Sequence, residues 1–229
     1  VGTDATGSQS VSLLQLAVQS VNDAPDGADR TLTLLEDGRY VLGAADFGFS
    51  DLDSNALAAV NVTSLPGAGA LLFNGVALTQ SQVDAGYVVS ATDLAGGKLE
   101  FRPAPNANGA AYASFSFQVQ DNGGTAHGGA DLDPVVNTLS FNVTSVTDGP
   151  LVEGSNFPVA AAIEVLEDSS YAFTGANQIV LDDADGDLSG VTLAVGNGTL
   201  DLTLGSGVTI TGGANGSGSI TLSGTQVAL

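Results

Sequence analysis

Among 229 residues, 25 are Asp or Glu and four are basic (Arg30, Arg39, Lys98 and Arg102), giving a formal net charge of -21. Phosphate backbones and anionic membrane surfaces are gripped by Lys and Arg, so this balance excludes an electrostatic hold on nucleic acid or lipid headgroups. With 43% hydrophobic residues the chain has material for a core and is no charged disordered tail. Cys is absent, which removes disulfides, zinc-thiolate sites and thiol nucleophiles. Met is absent too and Val1 comes first, so the chain reads as an excised piece of something longer. No apolar run approaches the ~20 residues of a membrane span.

In chain order, the first predicted element is an alternating strand, Val11 to Val21, followed by the linker Asn22-Asp23-Ala24-Pro25. A second strand spans Arg30 to Leu35 and ends at the acidic turn Glu36-Asp37. The loop Asp51-x-Asp53-x-Asn55 leads into short strands around Val60, Val62 and Leu65, then Leu71, Leu72 and Val76. Alternation returns at Leu99 and Phe101, at Phe115, Phe117 and Val119, and at Leu139, Phe141 and Val143. Turn dipeptides separate these runs: Pro66-Gly67, Asn74-Gly75, Asn108-Gly109 and Asn122-Gly123. No stretch of 10 residues shows a helical period. Seven or eight short strands in about 125 residues predict an all-β chain of antiparallel Greek-key sandwiches, of cadherin or immunoglobulin type.

The chain repeats itself. Ser20-Val21-Asn22-Asp23-Ala24-Pro25 returns 125 positions later as Ser145-Val146-Thr147-Asp148-Gly149-Pro150. Leu34-Leu35-Glu36-Asp37 returns as Val165-Leu166-Glu167-Asp168, and Asp51-x-Asp53-x-Asn55 as Asp183-x-Asp185-x-Asp187. All three pairs keep their order. The organisation read from this is residues 1–24 as the terminal strand of a preceding repeat plus its linker, 25–150 as a complete repeat, and 151–229 as an incomplete following one.

Acidic residues gather in the turns, and in an extended segment residues i, i+2 and i+4 point the same way. An acid-x-acid-x-acid tract therefore aims several oxygens at one point, which suits Ca²⁺ with its six to eight oxygen ligands. Without a cation such carboxylates repel one another. Counting strand reversals places Asn22, Asp23, Asp51, Asp53, Asn55, Asp121, Asp131 and Asp133 in one group. Glu36, Asp37, Asp148, Asp183, Asp185 and Asp187 form the second, and Glu167-Asp168 is the repeated acidic turn. An EF-hand does not fit, because Ala194 stands where its bidentate Glu would be. The bland alternatives are solvated turns in which Asp caps its own backbone, or acidity as a salt adaptation, which would scatter acids over strand faces.

Linker, acidic turn and Asp-x-Asp loop together resemble the cadherin domain. The order of these motifs, with Leu35-Glu36-Asp37-Gly38, Gly97-Lys98-Leu99-Glu100-Phe101-Arg102-Pro103 and Phe117-Gln118-Val119-Gln120-Asp121-Asn122-Gly123-Gly124, is similar to the cadherin-like tandem repeats (VCBS type) of giant bacterial surface adhesins. The resemblance implies Ca²⁺ at each inter-repeat junction, an extracellular or cell-surface location in a Gram-negative bacterium, and a non-enzymatic extender role. Expected partners are neighbouring repeats of the same chain and other copies joined by strand complementation into a filament. One departure is Thr147, where the first linker has Asn22. The alternative from another class is a lectin-like carbohydrate-binding module, for which Tyr87, Tyr112 and Tyr171 are the candidate aromatics. An enzyme finds little support: the single His127 lies in a glycine-rich loop and no Gly-x-Ser-x-Gly elbow occurs.

Overall fold

The computed structural model describes residues 2–3, 5–7, 9–10, 15–153, 164–174 and 178–229. These are mostly β-strand, in antiparallel sheets joined by turns. A small pair comes first, β1 (Gly2–Thr3) with β2 (Gln9–Ser10). The predicted strand Val11 to Val21 lies partly outside the described residues. Its described part, 15–21, is no strand: Leu16 is 82% and Val18 87% exposed. Alternation alone does not make a strand without a neighbouring ladder to bond to.

Two compact units divide the chain. One comprises Val1–Leu34, Gly38–Ala104 and Ala110–Asn142; the other Leu35–Asp37, Pro105–Gly109 and Val143–Leu229. The strands that build the first are β3 (Arg30–Leu35), β4 (Tyr40–Val41), β5 (Leu57–Val62), β6 (Ala70–Phe73), β7 (Val76–Ala77), β8 (Tyr87–Ser90), β9 (Leu99–Arg102), β10 (Gly109–Asp121) and β11 (Asn137–Thr144). They form a five-stranded sheet, β3-β11-β10-β5-β8, and a four-stranded one, β4-β9-β6-β7.

Period-two burial makes these sheets face each other in a sandwich-like arrangement. Phe115, Phe117 and Val119 of β10 and Leu139 and Phe141 of β11 are at most 1% exposed, while their neighbours face out. Phe101 of β9 stacks on Phe141 with centroids 3.8 Å apart. Phe47, at the end of the 3-10 turn Ala44–Phe47, meets Phe117 edge-on at 4.9 Å. Each such ring contributes about 1.5–3 kcal/mol by leaving water.

Two five-residue helices, α1 (Gln80–Asp84) and α2 (Ala91–Ala95), flank β8. Their start signals stand in the sequence. The Gln82 side chain accepts from Thr79 N at 2.9 Å, and Ser90 Oγ accepts from Asp93 N at 3.0 Å.

The second unit has β12 (Leu151–Glu153) paired with β13 (Val180–Asp182). A three-stranded sheet follows, order β14-β16-β15, from β14 (Gly190–Ala194), β15 (Thr209–Gly213) and β16 (Ser219–Ser223). Its buried apolar side chains are Ile220 and Leu222 of β16. The β14–β16 ladder keeps the register of the β5–β8 ladder: Ala59 faces Ser90 in one, and Val191 and Leu222, the positions 132 further on, face each other in the other.

Candidate metal centre

The paired acidic turns share one backbone feature. Asp37 and Asp168, equivalent residues of the two acidic turns, have φ of 57° and 59°. Left-handed backbone is uncommon outside glycine, with Asp and Asn enriched among the exceptions. The linkers match in the same way. Asp23 N donates to Asp53 Oδ2 at 2.6 Å, and Asp148 N donates to Asp185 Oδ2 at 2.6 Å.

The first group is knitted around Asn22. Its amide donates to both oxygens of Asp121 (3.1 and 3.2 Å) and to Ala130 O (2.6 Å), and accepts from Asn55. Asn55 N bonds Asp51 Oδ1 at 2.6 Å and Gly123 N bonds Asp121 Oδ1 at 2.7 Å. A Cβ at Gly123 would overlap the Asn22 and Asn55 side chains, so any larger residue there would have to displace them. Six of the eight expected residues are thus joined: Asn22 with Asn55, Asp51 and Asp121, and Asp23 with Asp53. Asp131 adjoins through its carbonyl, which accepts from Asp121 N. Asp133 is engaged elsewhere. It is 1% exposed, and its carboxylate accepts from Gly27 N (2.8 Å), Val135 N (2.8 Å) and Asn137 Nδ2 (2.7 Å).

In the second group Glu36, 3% exposed, accepts from Val146 N at 2.7 Å and from Asn108 Nδ2 at 2.9 Å. Asp37 Oδ1 accepts from Asn106 N at 2.9 Å, and Asp183 Oδ1 from Asp185 N at 3.1 Å. Gln226, in the turn after β16, holds Asp182 Oδ1 and Asp183 O. Asn106, Asn108 and Gln226 are residues that sequence reading misses. Asn108-Gly109 marks a turn, yet nothing local says that its amide reaches a carboxylate 72 positions away.

Like charges are close here. Burial first, then the charges of Asp37, Asp185, Glu36 and Asp183, push the Asp148 carboxyl above the ordinary aspartate range. The charge of Asp183 is the main cause of the upward shift at Asp187. Glu167 and Asp168, by contrast, are exposed in their turn and bond with neither group.

Among the described residues no three acidic or imidazole side chains stand ready to enclose an ion. Backbone N–H and Asn amide donors take up many of the carboxylate oxygens, both of Asp121 and both of Glu36 among them. Each group nevertheless keeps one carboxylate oxygen shielded from water and without a partner, Asp51 Oδ2 in the first and Asp148 Oδ2 in the second. An anionic oxygen in that state is costly unless a cation or proton meets it. The donor set is all oxygen, which fits a hard cation such as Ca²⁺ and no soft metal.

The three candidate tyrosines sit against separate rings: Tyr87 on Phe73, Tyr112 on Phe101 and Tyr171 on Phe173. His127 is exposed, with φ of 57°. No helix among the described residues is long and apolar enough to cross a membrane. Comparison with protein-family models, curated proteins and solved structures returns no match.

Proposed function

We propose that this chain is a run of cadherin-like Greek-key sandwich repeats serving as a non-enzymatic extender of an extracellular bacterial adhesin or surface fibre, with Ca²⁺ stiffening each inter-repeat junction. One observation carries the reading. The same linker-to-loop hydrogen bond recurs at both junctions, and each junction keeps a shielded carboxylate oxygen without a donor. Two unrelated surface turns have no reason to share both features.

In this reading Asn22, Asp23, Asp51, Asp53, Asn55, Asp121 and Asp131 hold the first ion. Glu36, Asp37, Asp148, Asp183, Asp185 and Asp187 hold the second. The bound ion supplies positive charge that lets carboxylates from linker and loop share one coordination shell. The chain's own part is orientation. Asn22 fixes Asp121, the 37 turn presents its carboxylate through left-handed backbone, and the linker N–H positions the second Asp of the loop. Asp51, Asp53 and Asp121 at one group, and Asp148, Asp183 and Asp185 at the other, would hold the ion, and a linker and loop tied to it in common would lose freedom. With Ca²⁺ at ~10 times the dissociation constant, each site adds ~1.4 kcal/mol, which accumulates along an array. Neighbouring repeats are the first partners, and strand complementation by other copies the second.

Isothermal titration of the metal-free chain tests this. Two Ca²⁺ sites are expected, of which Asp51→Asn removes one and Asp148→Asn the other, with Mg²⁺ a weak competitor because it demands near-ideal octahedral geometry. No heat with either ion would overturn the reading.

A further inference from the structure

Three of the four basic side chains share one face of one sheet. Leu99 and Phe101 of β9 point into the core, both 0% exposed, so positions 98, 100 and 102 point the opposite way. Arg102 Nη2 meets Glu100 Oε1 at 3.0 Å, and Arg39 Nη1, beside β4, meets Glu100 Oε2 at 3.2 Å. Lys98, just before β9, pairs with Asp93 at 2.6 Å. Glu100 is 5% exposed. One buried carboxylate thus faces two guanidiniums, leaving a net positive charge on a molecule that carries -21. The Arg39 and Arg102 side chains are 62% and 52% exposed. Each guanidinium has five N–H donors and uses one on Glu100, so donors remain for an outside acceptor. Val41, opposite Glu100 in the β4–β9 ladder, adds an exposed apolar contact.

The complementary group is present in the same chain. In the Glu36-Asp37 turn the carboxylates are taken by Val146, Asn108 and Asn106. In its copy, Glu167-Asp168, both residues are exposed and make no hydrogen bond or ion pair with the described residues. We propose that the Arg39–Lys98–Arg102 face of one copy docks the Glu167-Asp168 turn of a second copy. Donor and acceptor surfaces differ, so the contact is heterologous and propagates rather than closing into a pair. An anionic polymer would meet the same guanidiniums but would have to follow a chain that carries -21 overall. A two-residue turn touches the patch alone. Exposed ion pairs are individually weak and two acidic chains repel, so the association belongs to high local concentration, with repulsion screened beyond ~8 Å at physiological salt. The proposal does not depend on the ion sites, and its test is run in both EDTA and Ca²⁺.

Lys98 is the only lysine, which makes zero-length carbodiimide coupling decisive. Equal amounts of ¹⁴N- and ¹⁵N-labelled full chain are coupled at physiological salt and digested for mass spectrometry. The expected product is a mixed-isotope peptide pair joining Lys98 to Glu167 or Asp168. It should fall at least tenfold in Glu167→Gln/Asp168→Asn, a change in an exposed turn that leaves the core untouched. Lys98 coupled only to Asp93 of its own chain would overturn the proposal. So would an interchain link to another carboxylate that survives the double substitution. Absence of interchain links, with Arg39 and Arg102 resonances shifting on addition of a polyuronate, would reassign the face to an anionic polymer.

Discussion

Asp133 and Glu36 lie almost out of water, and each is held by donors rather than by a counter-charge. Removing such an acceptor leaves buried N–H groups unmet, at about 1–3 kcal/mol for each. Asp133→Ala is therefore expected to cost at least about 2 kcal/mol in urea unfolding, with or without Ca²⁺, because its work is done by Gly27, Val135 and Asn137. Asp148 behaves in the opposite sense. Its pKa is raised in the fold, so the folded state takes up a proton more readily than the unfolded chain. Without metal, stability rises as pH falls from neutral toward the raised pKa values of Asp148 and Asp187, until other carboxylates protonate. With Ca²⁺ bound the sign reverses, because protons and the ion compete for the same oxygens. Asp148→Asn should raise the urea midpoint of the metal-free protein at pH 7 and flatten this pH dependence. The order of the acidic motifs was legible from one end of the chain to the other. Asn22 was legible with its linker, but the tethers from Asn106 N and the Asn108 amide were not, because they act on carboxylates distant in sequence that only the fold brings near.

Strands show the same division between what is local and what is not. Phe141 and Val143 of β11 are 0% and 3% exposed, whereas Leu16 and Val18, their copies 125 positions earlier, are 82% and 87% exposed. The patterns are equally strand-like. β11 lies beside β3 and β10 in its sheet, and residues 15–21 join no sheet. Phe141→Ala is expected to cost about 3–5 kcal/mol and Leu16→Ala less than about 0.5 kcal/mol, read from denaturation midpoints of the same chain. Gly123→Ala belongs with the first class. Its new methyl meets Asn22 and Asn55, and a loss of about 1–3 kcal/mol is expected as that turn gives way. Periodicity found β5, β6, β9, β10 and β11. It passed over α1 and α2, whose five residues are too short for a helical period, although Thr79-x-x-Gln82 and Ser90-x-x-Asp93 announced their starts.

For the molecule as a whole, the acids and the repeat have one explanation between them. Twenty-five carboxylates on a β scaffold with four basic residues are self-repelling unless cations gather among them. In the proposed function, acids gathered at the linkers turn that repulsion into a clamp set by the ion. The central claim is tested most directly by thermal unfolding of the full chain in EDTA and in millimolar Ca²⁺, with small-angle scattering on the same samples. The account predicts a Tm several degrees higher in Ca²⁺ together with a greater maximum dimension, and a smaller response to Mg²⁺. Equal melting temperatures and superimposable scattering curves in EDTA, Mg²⁺ and Ca²⁺ would contradict it, leaving the acids as surface charge.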